Sequence, residues 1–266
     1  MADISPDQLP SLAGKVAMVA GASRGIGAGV ARAFAVAGAD VVVAARDKEA
    51  LAAVATDIRD FTGVRTLAVP TDVSQPEAVD ALVDRAMDEF GRLDVACNNA
   101  AGGGHLPTPL ADVAVEDFDS ALAISLRGMF LCLKYEIPAM MASGGGAIVN
   151  MASTAGLDAV AGLAGYVTSK HGLIGLTKVA ALDYAAQGVR INAVAPGPIL
   201  TDRLAAAGED AQRAAGMAMP MRRIGQVDEV AAATVWLCSD QASFVTGATL
   251  TIDGGKLAGS PPFQRK

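Results

Sequence analysis

The feature that most constrains this chain is a rhythm: short β-branched runs alternate with longer Ala-rich stretches of helical composition along nearly its whole length. Strands read at Lys15–Ala20, Asp40–Ala45, Arg65–Val69, Asp94–Asn98, Ala147–Asn150, Arg190–Ala195 and Thr249–Ile252, seven in all. Helices read at Gly25–Ala37, Lys48–Arg59, Pro76–Phe90, Val115–Met141, Gly165–Gln187 and Val227–Ser239. Such alternation marks a mostly parallel sheet covered by helices on both faces. Gly38, Gly63, Gly91 and Gly188 each follow a helical stretch and precede a strand, where a left-handed cap ends a helix. The expectation is one α/β domain over 1–266, a doubly wound sheet of seven mostly parallel strands, with short tails over 1–11 and 256–266. Ser143–Gly146 reads as a turn. Thr201–Pro220 breaks the rhythm, either as a helical lid over a substrate or as an ordinary surface insertion.

Bulk properties narrow the function. A length of 266 residues is ample for one large core. The net charge of −7 argues against nucleic acid or anionic lipid as a partner, since both recruit clustered cations. No apolar run reaches the roughly 18 residues of a membrane span. Met1–Gly14 carries Asp3, Asp7 and two prolines in place of a basic segment followed by an apolar one, so a cytoplasmic location is expected. Cys97, Cys132 and Cys238 are odd in number and far apart, which points to buried thiols and to no metal site.

Directly after the first strand comes Gly21-Ala22-Ser23-Arg24-Gly25-Ile26-Gly27, opening into a helix. Glycines here allow a tight turn and a close backbone approach to a pyrophosphate, which then rests on free N–H groups at the positive end of the helix. The spacing is GxxxGxG, where the commonest dinucleotide folds have GxGxxG. The second strand ends in Ala44-Ala45-Arg46. An acidic residue near this point would hold the ribose hydroxyls of NAD, whereas an arginine suits the 2′-phosphate of NADP. Ala45 offers no carboxylate, so NADP(H) is expected in preference to NAD(H). Arg24 and Arg46 either flank that phosphate or are two solvated surface arginines.

Tyr166 and Lys170 stand four apart in a helical stretch and so share a face. An ammonium beside a phenol favours the phenolate, which makes the tyrosine a usable proton donor to a carbonyl and acceptor from an alcohol. Ser153 follows the strand ending at Asn150, on the sheet edge where ligands of such folds bind, and its hydroxyl can hold the substrate oxygen. A Tyr-Lys pair alone is common on helix surfaces. The weight lies in its conjunction with Ser153, the glycine turn and Asn98-Asn99-Ala100 at the end of the fourth strand.

With these residues the chain resembles the classical short-chain dehydrogenases/reductases over about residues 12–255, with their single-domain Rossmann-like fold. The resemblance implies Gly21, Gly25 and Gly27 at the pyrophosphate and Asp72-Val73 against adenine, and Ser23, Arg24, Ile26 and Arg46 are expected as further cofactor-binding residues. It implies Asn99-Ala100, with Ala101, beside the adenosine ribose, and Pro196-Gly197, Ile199 and Thr201 around the nicotinamide carboxamide. Ser153, Tyr166 and Lys170 match the family's catalytic group, Lys170 also gripping the nicotinamide ribose. The implied reaction is hydride transfer between nicotinamide and a carbonyl or secondary alcohol. An enoyl-type reductase of C=C bonds and a non-catalytic NADP(H)-binding scaffold remain the alternatives. The resemblance further implies a homo-oligomer, a tetramer or dimer, joined through the long helices after the fourth and fifth strands.

Three positions depart from the family pattern. Ala20 stands where Thr usually opens the glycine motif, and Ala101 replaces the Gly of Asn-Asn-Ala-Gly. Ser125, in Ile124–Gly128, aligns with the Asn that holds a relay water toward the Lys; either its hydroxyl positions that water or it merely packs. His105, in the loop Gly102–Pro107, either touches substrate or is solvated, and His171 points about 100° away from Lys170. The loop after Ala101 and the stretch Leu204–Met221 are expected to line an apolar pocket for a hydrophobic ketone.

Overall fold

A computed structural model describes residues 10–102 and 104–259. Residues 1–9 and 260–266 of the expected tails, and Gly103 of the expected pocket loop, lie outside the described residues. Seven strands form one sheet: β1 (Val16–Ala20), β2 (Asp40–Ala45), β3 (Thr66–Pro70), β4 (Val95–Asn98), β5 (Gly146–Met151), β6 (Val189–Pro196) and β7 (Thr249–Ile252). The order is β3-β2-β1-β4-β5-β6-β7 and every pairing is parallel. Chain order runs outward from β1 in one direction and outward from β4 in the other. A crevice therefore opens between β1 and β4 at their carboxyl ends, the place where open α/β sheets bind ligands.

Period-two alternation sorts each buried strand between two layers. In β1, Ala17 and Val19 join Phe34, Leu51, Ile58 and Val230, which belong to α1 (Gly25–Val36), α2 (Lys48–Thr62) and α9 (Val227–Cys238). Val16 and Met18 point the other way, to Leu82, Leu133 and Ile137 from α3 (Pro76–Phe90) and α5 (Gly128–Ala142). With both faces covered, the strands can be apolar throughout, and β1 is buried along its whole length. The three cysteines are buried and free, and burial lifts the Cys238 thiol to about 12.

The expected boundaries hold within a few residues. β4 starts after Asp94, whose carboxylate accepts from the Val16 N–H at 2.9 Å and from Arg92 at 2.6 Å. Gly38, Gly63, Gly91 and Gly188 all take the expected positive φ. Asp47 caps α2 by accepting from the Ala50 N–H at 3.1 Å.

One stretch differs from expectation. Val115–Met141, read as one helix, is α4 (Val115–Leu122), a π-helical turn over Ala123–Arg127, and then α5. Composition carries no signal for that turn, since Ala, Ile, Leu and Arg all suit an α-helix. Thr201–Pro220 folds as α7 (Asp202–Ala206) and α8 (Glu209–Met217). Between β5 and β6 runs α6 (Ala164–Tyr184). Among the described residues no helix is long and apolar enough to cross a membrane.

Phe34 is fully buried and holds the helix of the glycine turn on the sheet. Phe34→Ala is expected to cost about 3–5 kcal/mol in urea unfolding. A loss below about 1 kcal/mol would contradict this packing.

Candidate active site

The glycine turn is built by close approach. Gly21 has φ +83°, and a Cβ there would lie 2.6 Å from the Ala100 backbone at the end of β4. A Cβ on Gly27 would collide with the Gly21 carbonyl oxygen and stand 2.6 Å from Asn99 Nδ2. Asn99 Nδ2 in turn donates to the Gly21 carbonyl at 2.9 Å, locking the ends of β1 and β4 together. At the start of α1, Arg24 supplies no side-chain cap and no acidic residue occupies the first turn. The helix dipole and its first N–H groups therefore face the crevice unneutralised, as a pyrophosphate requires.

One cleft of about 1090 Å³ runs from this turn to α6. Gly21, Ser23, Arg24, Ile26, Arg46, Asp72, Val73, Asn99, Ala100, Ala101, Tyr166 and Thr201 all border it, so most of the residues expected at the cofactor share one space. Gly25 stands behind Thr201, where a Cβ would lie 3.4 Å from Thr201 Cγ2. Gly27, Ser153, Lys170, Ser125, Pro196, Gly197 and Ile199 do not line the cleft. Pro196 ends β6, Gly197 packs on Asp253, and Ile199 is buried and bridges to Gly225.

At the far end, Arg24 and Arg46 are exposed and neither makes a salt bridge among the described residues. Asp47, next to Arg46 in the chain, spends an oxygen on its helix cap. Asp72 is held below the usual carboxylate range first by the Ser74 backbone N–H at 3.0 Å; burial opposes this, and the Ser74 hydroxyl and the Arg46 charge add to it.

At the near end, Tyr166 is 36% exposed on the first turn of α6, while Lys170 one turn on is 2% exposed. The Lys170 ammonium lies 5.8 Å from the centre of the Tyr166 ring and donates to the Met151 carbonyl, the last of β5, at 2.6 Å. No carboxylate faces it, and burial alone pulls it from 10.5 to about 8. Ser153 accepts from the Ala155 N–H at 3.1 Å, which leaves its hydroxyl proton free for a substrate oxygen. Ser125 is buried inside the π-helical turn, accepting from the Gly102 N–H at 3.3 Å and lying 3.2 Å from the Gly102 carbonyl, to which it donates. Its hydroxyl thus ties the loop after β4 to the turn and keeps one lone pair unused.

A family model described as "Enoyl-(Acyl carrier protein) reductase" matches residues 21–256. The chain is 44% identical to the A-factor type gamma-butyrolactone 1'-reductase (1S-forming) of Streptomyces virginiae over 94% of this chain and 98% of that one. It is 41% identical to the cyclohexanol dehydrogenase of Acinetobacter sp. (strain SE19), covering 90% and 94%. Among solved structures, levodione reductase superposes with a TM-score of 0.89 at 33% identity, covering 93% and 99%. The chain belongs to the short-chain dehydrogenase/reductase family.

For this short-chain dehydrogenase/reductase, an oxidoreductase with a nicotinamide cofactor, the cradle of glycines that a Cβ would fill fits that cofactor. Sequence reasoning missed the Met151 carbonyl, which carries no side-chain signature, and Leu163 and Arg203, which also border the cleft. It also left His105 open; His105 borders the cleft with Nδ1 turned to the Leu106 carbonyl at 2.7 Å.

Because the folded chain holds Lys170 near 8 and the unfolded chain near 10.5, ionised Lys170 costs stability, fully below about pH 8 and progressively less as pH rises to 10.5. Lys170→Met is expected to raise unfolding free energy at neutral pH by about 1–2 kcal/mol after the lost Met151 hydrogen bond is counted. Urea titrations at neutral and alkaline pH check this. A gap of opposite sign at neutral pH, or one that widens with pH, would refute it.

Proposed function

We propose that the protein is an NADP(H)-dependent oxidoreductase that interconverts a carbonyl and a secondary alcohol, with 1–266 acting as one catalytic unit. The observation that carries this reading is the pairing of Tyr166, which borders the cleft that also contains the glycine cradle, with a Lys170 ammonium buried behind it. When bound, NADPH supplies a hydride from its nicotinamide. Tyr166 gives a proton to the carbonyl oxygen in reduction and takes one from the hydroxyl in oxidation. Ser153 orients that oxygen through its free hydroxyl proton. Lys170 keeps a positive charge beside the phenol and would hold the nicotinamide ribose, while the Met151 carbonyl fixes its position. Ser125 serves the site by holding Gly102 against the π-helical turn; a relay water would use its remaining lone pair.

Two unpaired arginines and the absence of a carboxylate at Ala45 support the 2′-phosphate of NADP as the adenosine-side ligand. Gly25, Gly27 and Thr201 would hold the cofactor at the cradle, and Pro196, Gly197 and Ile199 would support its carboxamide end from behind. Acidic net charge and the cytoplasmic reading, with a homo-oligomer formed through α5 and α6, complete the proposal. A ring-borne secondary alcohol, which the name of the Acinetobacter relative states for that protein, is the first substrate to test, with cyclohexanone as the ketone. The family model's description favours a second reading, C=C reduction; an enone separates the two by whether the alkene or the ketone is lost.

Cofactor use tests the first half: kcat/KM with NADPH is expected to exceed that with NADH at least about tenfold, and Arg46→Ala to remove most of the difference. Equal efficiencies in the parent protein would refute it. Replacement of Tyr166 by Phe tests the second half, with turnover expected to fall about 10²–10⁴-fold and NADPH affinity to stay within about twofold. Retained turnover would remove Tyr166 from its role.

A further inference from the structure

Beneath the catalytic group runs a buried polar chain that the reaction described above does not use. Glu136 on α5 is 1% exposed and makes no salt bridge among the described residues. Asn98 Nδ2 donates to Glu136 Oε2 at 2.9 Å and to Asn150 Oδ1 at 3.2 Å. Asn150 Nδ2 donates to Thr177 Oγ1 at 2.9 Å, and the Thr177 hydroxyl donates to the Leu173 carbonyl at 2.8 Å. Because Thr177 commits its proton to its own helix, it must accept from Asn150. Asn150 then shows its oxygen to Asn98, which can answer only with N–H groups. Asn98 Oδ1 is left buried without a donor.

We propose that Glu136 is a positioning residue of the catalytic group: held as a neutral acid, it donates its O–H to Asn98 Oδ1 and closes the amide chain that fixes the ends of β4 and β5. The proposal rests on the catalytic reading of Tyr166 and Lys170. A neutral carboxyl supplies the proton that the orphaned Asn98 Oδ1 lacks. The two asparagines sit one residue before the groups that build the site. After Asn98 comes Asn99, whose side chain holds the Gly21 carbonyl. After Asn150 comes Met151, whose carbonyl holds the Lys170 ammonium, and Thr177 lies two turns beyond Lys170 on α6. A shift of the chain therefore moves the cradle and the ammonium together.

No charge stabilises the ionised form. β4 brings the Cys97 thiol and α5 itself the Cys132 thiol, both raised well above the ordinary thiol range by burial. β5 carries no charged residue. Asp80, Asp84 and Arg85 of α3 are exposed, Lys170 of α6 is held by Met151, and Arg190 of β6 is spent on the Leu237, Ser239 and Val245 carbonyls. Burial accordingly lifts the Glu136 carboxyl to about 7, against the pull of the Asn98 N–H. Above that pH the proton leaves and two acceptors face one another.

Glu136→Gln carries an N–H in place of the acid O–H at every pH, and Glu136→Met carries neither donor nor acceptor. Infrared difference spectra of the parent protein against Glu136→Gln at about pH 6 are expected to show a protonated-carboxyl stretch that fades as pH rises past about 7. Glu136→Gln is expected to keep kcat within about twofold at pH 6 and to gain on the parent several-fold by about pH 8.5, while Glu136→Met loses about tenfold in kcat with KM within about twofold. A missing carboxyl stretch, a Gln variant as impaired as the Met variant, or a folded Met variant with the parent's kcat and pH profile would overturn the proposal. Should Glu136→Met not fold, the infrared band and the Gln profile decide alone. Absence of turnover on every carbonyl tested would sink the functional reading, leaving the infrared result to judge the proton on Glu136.

Discussion

The arrangement depends on one unusual charge: an ammonium inside the protein with a backbone carbonyl and no counter-ion. Taking a lysine out of water without a carboxylate partner is unfavourable, and the folded chain shows this by holding Lys170 near 8. A carboxylate would relieve the cost, but it would also cancel the positive field at the Tyr166 phenol. The Met151 carbonyl keeps the ammonium in place without cancelling it. In the proposed function, stability is given up so that charge is available beside the phenol that moves the proton.

That charge has meaning only because the sheet brings its partners to one edge. Parallel strands all end on the same side, so the turns after β1, β4 and β5 converge, and the reversal of strand order between β1 and β4 opens a cleft there. Gly21 and Gly27 let the first turn settle against Ala100 and Asn99, and this contact sets the floor on which a dinucleotide lies. The π-helical turn at Ala123–Arg127 then interrupts the helix beyond β4, with Ser125 bonded to Gly102. Such turns often mark functional positions because they free a backbone group that a regular helix would use.

Most of the fold was legible in the sequence because it follows from local rules. Strand runs with both faces apolar, helices of 3.6-residue period and glycines at helix ends each depend on a few neighbouring residues. The glycine cradle and the Tyr166–Lys170 pair were legible for the same reason, their spacing being fixed by one turn and one helix. What depends on distant contacts was hidden. The π-helical turn at Ala123–Arg127 carries the tie between Ser125 and Gly102, 23 residues apart, and composition shows nothing of it. Nothing in the spacing around Glu136 singles it out, and only the fold turns it onto Asn98, 38 residues away. Met151 acts through its carbonyl, so no residue type could announce it.

The central claim is that Lys170 is an uncompensated buried cation beside Tyr166. Lysine side-chain NMR, with the Lys170 signal assigned by its loss in Lys170→Met, measures this directly. The account predicts a titration midpoint near 8 for Lys170 in the cofactor-free protein, well below the remaining lysines. A midpoint at the ordinary lysine value of about 10.4 would show the ammonium to be solvated, and would contradict the account.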